Sequence, residues 1–146
     1  MRSRTRLMAA ALALACAAPA VRPIPYGTEP CAHCHMVITD ARFAAELVSR
    51  KGRVWFFDDP ACLAAFYASA EVPPGDVALL VVNDFVTPDS ALDARTASYL
   101  ETARVQTPMG GGIIALRAGH ETDSVRSALG GSVLSWDQLP RHPGAR

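Results

Sequence analysis

Two strand-type runs, residues 42–49 (RFAAELVS) and 53–57 (RVWFF), are separated only by Arg50-Lys51-Gly52, and the second runs straight into Asp58-Asp59-Pro60. A short connection ending in glycine is of hairpin length. Proline is tolerated in the first turn of a helix, and an aspartate before it is a good N-cap. Asp59-Pro60 therefore predicts a helix over Pro60–Ser69 whose buried face carries Leu63, Phe66 and Tyr67. Pro73-Pro74-Gly75 then breaks the chain, and VALLVVN at residues 77–83 is a continuous, β-branched run that reads as a buried strand. The second half carries the same order more faintly. Strands are expected at 96–100 and 113–117, and a helix over 121–129 with His120 near its start. Gly130-Gly131 stops that helix, and a short strand follows at 132–136. The expected fold is α+β: two small ββαβ units packed together, at residues 31–86 and 87–139, with a flexible tail at 140–146.

The segment before the first unit reads as an address. Residues 1–6 (MRSRTR) hold three arginines, and residues 7–15 are uninterruptedly apolar. A cationic start followed by a short apolar run is the layout of an export signal, and the run falls short of the ~20 residues that span a bilayer. Residues 1–15 are thus expected to be a signal peptide. Small residues lead into Cys16 as in a lipobox, although Ala13 stands where leucine is usual. Cys16 is the expected lipidation site, with 16–30 as a proline-rich tether, which places the domain in the periplasm on a bacterial membrane. The chain has 14 Lys+Arg against 14 Asp+Glu, so no basic field exists to hold nucleic acid.

Chemistry concentrates in Pro30-Cys31-Ala32-His33-Cys34-His35-Met36. Thiolate and thioether ligands select Cu(I), and imidazole suits copper or zinc. If residues 34–38 enter a strand, Cys34 and Met36 share one face while His33 and His35 share the other. One thiolate and one thioether then meet a single ion, with Cys34 supplying the charge. Met109, in the turn Thr107-Pro108-Met109-Gly110-Gly111-Gly112, is a candidate third ligand, or else a plug at the core edge. Cys31 and Cys34 alone also fit a zinc site, a structural disulfide, or the redox pair of a periplasmic thiol–disulfide oxidoreductase. Zinc requires four closed ligands, and a redox pair belongs at a helix start, so soft-metal transfer is the favoured reading. Asp59 is expected as an N-cap and Asp58 as a carboxylate orienting a ligand histidine. Cys62, set among alanines and leucine in a helical pattern, reads as a small buried hydrophobe. His120 and His142 read as solvated.

These elements in this order resemble the NosL family of periplasmic lipoprotein copper chaperones, associated with assembly of nitrous-oxide reductase. The resemblance rests on the cysteine-bearing leader ending at Cys16 and on the Cys-x-x-Cys-x-Met motif of Cys31, Cys34 and Met36. It rests further on Phe57-Asp58-Asp59 with the following Cys62, on the Thr107–Gly112 turn, and on the closing stretch from Gly130-Gly131 to Trp136. Where the family carries a glycine before the methionine, this chain has His35. The resemblance implies a fold related to the organomercurial-lyase core and a protein that is not an enzyme. It implies Cu(I) held by Cys34 and Met36 with Met109; Cys31, His33 and His35 remain further candidates on their residue types alone. It also implies nitrous-oxide reductase and a membrane transporter of its assembly machinery as partners; a homodimer is left open.

Overall fold

The computed structural model describes residues 18–141. The expected signal peptide, Cys16 and the end of the tail, including His142, lie outside the described residues. β1 (Ala45–Ser49) and β2 (Val54–Phe57) form the expected hairpin, pairing Ala45 with Phe57 and Val48 with Val54. β3 (Val77–Asn83) lies antiparallel on the other edge of β1. The second half repeats the arrangement. β5 (Ser98–Glu101) is central, with β6 (Ile113–Leu116) on one edge and β7 (Ser132–Leu134) on the other, all antiparallel. In each unit the first strand sits between the other two, as the ββαβ reading requires.

The departures have local causes. The first strand begins at Ala45 rather than at residue 42, because the Asp40 carboxylate accepts from the Arg42 backbone N–H at 3.0 Å and pairs with its guanidinium at 2.6 Å, which closes a turn there. A strand the sequence did not announce, β4 (Ala91–Asp93), adds to β3 and makes the order β2-β1-β3-β4. It is three residues long, too short for an alternating pattern to register. The final strand stops at Leu134, since Trp136 opens a 3-10 turn, Trp136–Arg141, that takes in Pro140 and Arg141 from the expected tail.

The tether expectation is corrected from Arg22 onward. The Arg22 backbone N–H donates to Glu46 Oε2 at 3.0 Å and its guanidinium to the Gly52 carbonyl at 3.3 Å. Further along, Gly27 N–H donates to the Ile38 carbonyl and the Asn83 amide to the Tyr26 hydroxyl. This strap runs from the tip of the β1–β2 hairpin to the opposite end of β1, and Glu46 is buried with it. Burial raises the Glu46 carboxyl above its usual range, opposed by the Arg22 N–H.

The two helices differ. α1 (Pro60–Ser69) packs on β1 and β2 of its own sheet, on β6 of the other sheet and on the Trp136–Arg141 turn. Pro60 through Ala64 and Phe66 are all buried, the pattern of a helix covered on most sides. α2 (His120–Leu129) buries only Thr122 fully and leans Val125 and Leu129 on a small second core of Phe43, Leu100, Ile114 and Leu116. The sheets are joined by the Phe85 N–H, which donates to the Ala115 carbonyl at 2.9 Å. No helix among the described residues is long and apolar enough to cross a membrane.

Candidate metal centre

Two segments meet at the Phe57 end of the β1–β2 hairpin. The first is the cysteine loop. Pro30 and Val37 form an isolated antiparallel bridge, and inside it Cys31 N–H donates to the Met36 carbonyl at 2.8 Å and His35 N–H to the Cys31 carbonyl at 3.0 Å. Residues 32–34 form a turn and His35 adopts φ +64°. The expectation that residues 34–38 enter a strand is therefore corrected. A left-handed residue between Cys34 and Met36 reverses the chain, so strict alternation of side chains does not apply. A left-handed position is also the one glycine fills most easily. The loop is pinned to β2 by the Ala32 N–H, donated to the Phe56 carbonyl at 2.9 Å.

The second segment is the junction from β2 to α1. Asp59 is the N-cap in extended conformation, accepting from Ala61 N–H at 2.8 Å, with Pro60 in the first turn. With the helix start fixed, Cys62 falls in the first turn and Asp58 immediately before the cap. The Sγ atoms of Cys31, Cys34 and Cys62 and a carboxylate oxygen of Asp58 all lie within 4.8 Å of one another. Cys31 and Cys62 are fully buried, Asp58 is buried, and Cys34 is half-buried. All three cysteines are free thiols.

The electrostatics single out one sulfur. The hydrogen bond from the Cys62 thiol, with backbone N–H groups of the loop, brings Cys31 down to about 7 against the opposing effect of burial. Burial pushes Cys34 up to about 12. Cys62 is raised because its proton is held on Cys31, and burial adds to this. Cys34 Sγ donates to both Asp58 oxygens, at 3.5 and 3.4 Å. Cys31, rather than Cys34, is thus the thiol nearest to a thiolate at neutral pH.

The structure brings some expected residues together and not others. Cys31 and Cys34 converge. Asp58 joins them, but it faces thiols and not a histidine. His33 and His35 stay out of the group, half-buried and exposed respectively. Met36 is 44% exposed at the loop surface. Met109 comes close through its backbone: its N–H donates to Asp59 Oδ2 at 3.2 Å, and its side chain is half-buried against the main core. Its turn is shaped by Gly112 at φ +65°, where an added Cβ would collide with the Thr102 backbone. Cys62 is the residue that sequence reasoning assigned to packing alone. The usable signal was positional: the Asp59-Pro60 helix start places the third residue of the first turn at the same end of the hairpin as the cysteine loop.

Three thiols backed by one carboxylate, mostly shielded from water but open at Cys34, make a soft-ion pocket. Fold and pocket together define a small α+β metal-binding domain built from two ββαβ units. The chain belongs to the NosL family, whose family model matches residues 25–143. The fold is also that of the copper chaperone NosL from Shewanella denitrificans, whose crystal structure superposes with a TM-score of 0.64 at 18% identity, covering 82% of this chain and 95% of that one. No curated protein matches the chain.

Proposed function

We propose that this protein is a periplasmic, lipid-anchored carrier of Cu(I), supplying copper for maturation of the copper centre of nitrous-oxide reductase together with a membrane transporter of that assembly machinery. Membership of the NosL family and a fold shared with a copper chaperone support the reading. The observation that carries it is the convergence of Cys31, Cys34 and Cys62 within 4.8 Å, with Cys34 half-buried and Met36 exposed on the same loop. Cu(I) is satisfied by two or three soft ligands. Cys34 and Met36 present the ion at the surface, Cys31 supplies a thiolate behind them, and Met109, His33 and His35 are nearby donors of the outer rim. Cys16 carries the lipid. Transfer proceeds by ligand exchange: an acceptor ligand bonds to the ion at the open side before Cys34 leaves.

The deciding experiment is an anaerobic Cu(I) titration of the reduced protein against a colorimetric Cu(I) chelator. One tightly bound equivalent is expected, weakened about a hundredfold or more in Cys31→Ser. Absence of competition with the chelator would sink the carrier reading. The reading as a thiol–disulfide oxidoreductase using Cys31 and Cys34 has one observation in its favour, the Cys31 thiol lowered to about 7. The pair sits in a loop rather than at the helix start that such chemistry uses. Insulin reduction by the protein, insensitive to Met36→Ala, would favour it.

A further inference from the structure

The sulfur atoms of the pocket and of the loop that carries it form a graded series. Met36 is 44% exposed, Cys34 is half-buried, and Cys31 and Cys62 are both at 0%. They also come from two different segments, the loop (Cys31, Cys34, Met36) and the first turn of α1 (Cys62). We propose that the pocket has two stations for the ion and that Cys62 is a ligand of the inner one: Cu(I) rests between Cys31 and Cys62, and moves out to Cys34 and Met36 for transfer. This inference rests on the Cu(I)-carrier reading and assigns what that reading leaves open, the resting position of the ion.

The geometry suits a short move. A metal–thiolate bond is about 2.3 Å, so an ion lying between two sulfurs no more than 4.8 Å apart reaches both. Cys31 belongs to both stations, and the ion never passes through a state with fewer than two sulfur ligands. In the outward step the Cu–S bond to Cys62 breaks and a Cu–S bond to Cys34 forms. The S–H proton of Cys34 leaves along the hydrogen bond it already makes to Asp58, and the same carboxylate hands it to the Cys62 thiolate as that sulfur leaves the ion. Copper stays Cu(I), and the charge of the pocket is unchanged. Asp58 is a poor ligand for a soft monovalent ion; its place is to hold the Cys34 thiol turned inward while the ion rests inside. The inner station also ties the loop to α1, so loading clamps the loop that unloading frees.

The test compares the intact reduced protein with Cys62→Ala and Met36→Ala, measuring both Cu(I) affinity and the stopped-flow rate of release to the colorimetric chelator. Cys62→Ala is expected to weaken binding about tenfold or more and to speed release. Met36→Ala is expected to leave affinity within about threefold and to slow release. If Cys62→Ala binds and releases as the parent does, Cys62 only packs the core and the inner station is overturned. Should the alanine variant not fold, Cys62→Ser takes its place. X-ray absorption at the copper edge of the loaded parent and of Met36→Ala gives a second reading independent of core substitutions. Identical sulfur shells support an ion resting inside; a thioether lost from the shell in Met36→Ala places the ion at the surface and refutes the proposal. A parent that binds no Cu(I) at all refutes the carrier reading itself, an outcome distinct from either.

Discussion

The two ββαβ units share a strand order and differ at the place where the second strand hands over to the helix. In the first unit β2 ends and α1 begins within two residues, Asp58 and Asp59, and the cap is a side chain that also holds the Met109 N–H. In the second unit β6 ends at Leu116, and Gly119 at φ +94° caps α2 without a side-chain bond. There Glu121 reaches back to the Arg117 N–H at 2.8 Å. The first junction is buried and brings the Asp58 carboxylate and the Cys62 thiol to the cysteine loop, while the Asp59 carboxylate turns to the Met109 N–H. The second lies at the surface, and among the described residues it carries no thiol. The same topology thus yields a pocket in one unit and a plain connection in the other. The difference lies in which helix the two units share: α1 packs on both sheets, α2 on its own.

That contrast is sharpest in the helices. Leu63→Ala removes a fully buried side chain from α1 and is expected to cost about 3 kcal/mol. Leu129→Ala, from a half-buried position in α2, should cost about 1 kcal/mol. Urea unfolding of the two variants checks the ratio. Equal losses would mean that α2 is as central to the fold as α1.

The junctions come next. Asp59→Ala loses the cap of α1 and leaves the Met109 N–H without its acceptor, for about 2 kcal/mol. Glu121→Ala loses a half-exposed reach-back bond, for about 0.5 kcal/mol. Thermal unfolding with calorimetry distinguishes them. Asp59→Ala should also loosen the Thr107–Gly112 turn, visible as faster amide exchange at Met109.

A smaller effect distinguishes the strap, which packs on the first sheet. Glu46 has its carboxyl raised above the usual 4.5 by burial. The folded chain then holds a proton that the unfolded chain has released, so this residue's contribution to stability falls as pH rises from about 4.5 through the folded value. Glu46→Gln should remove that fall. Melting curves at acid and neutral pH are expected to show the variant gaining on the parent toward neutrality; a gain that is equal at both would show that the strap leaves the Glu46 carboxyl titrating as it does in the unfolded chain.

The legible parts of the sequence were those governed by strong local chemistry. Asp59-Pro60 fixes a helix start, VALLVVN fixes a strand, and Gly130-Gly131 ends α2. What stayed hidden depended on distant partners. Ala91–Asp93 becomes a strand only because β3 offers it an edge. The prolines before Cys31 read as a free tether until Glu46, Gly52, Ile38 and Asn83 supply partners for that segment. Cys31, Cys34 and Asp58 could be picked out by type and spacing. Cys62 could not, because a cysteine among alanines looks the same whether it faces a core or two other thiols.

His35 and Gly112 draw the finest line between the units. Both sit at nearly the same backbone angle, φ +64° and φ +65°, one in each unit. At Gly112 a side chain would strike the Thr102 backbone, so glycine is required by space as well as by conformation. His35 is exposed, so the left-handed conformation is the whole of its cost, about 1 kcal/mol. Glycine would relieve that cost while adding nearly as much freedom to the unfolded chain. His35→Gly is therefore expected to stabilise the protein by only a few tenths of a kcal/mol. The Cu(I) affinity of the same variant decides what the imidazole is for. An unchanged affinity means that histidine merely tolerates a glycine position. A drop of about tenfold or more would make His35 a ligand, and its strained backbone part of how this loop meets the ion.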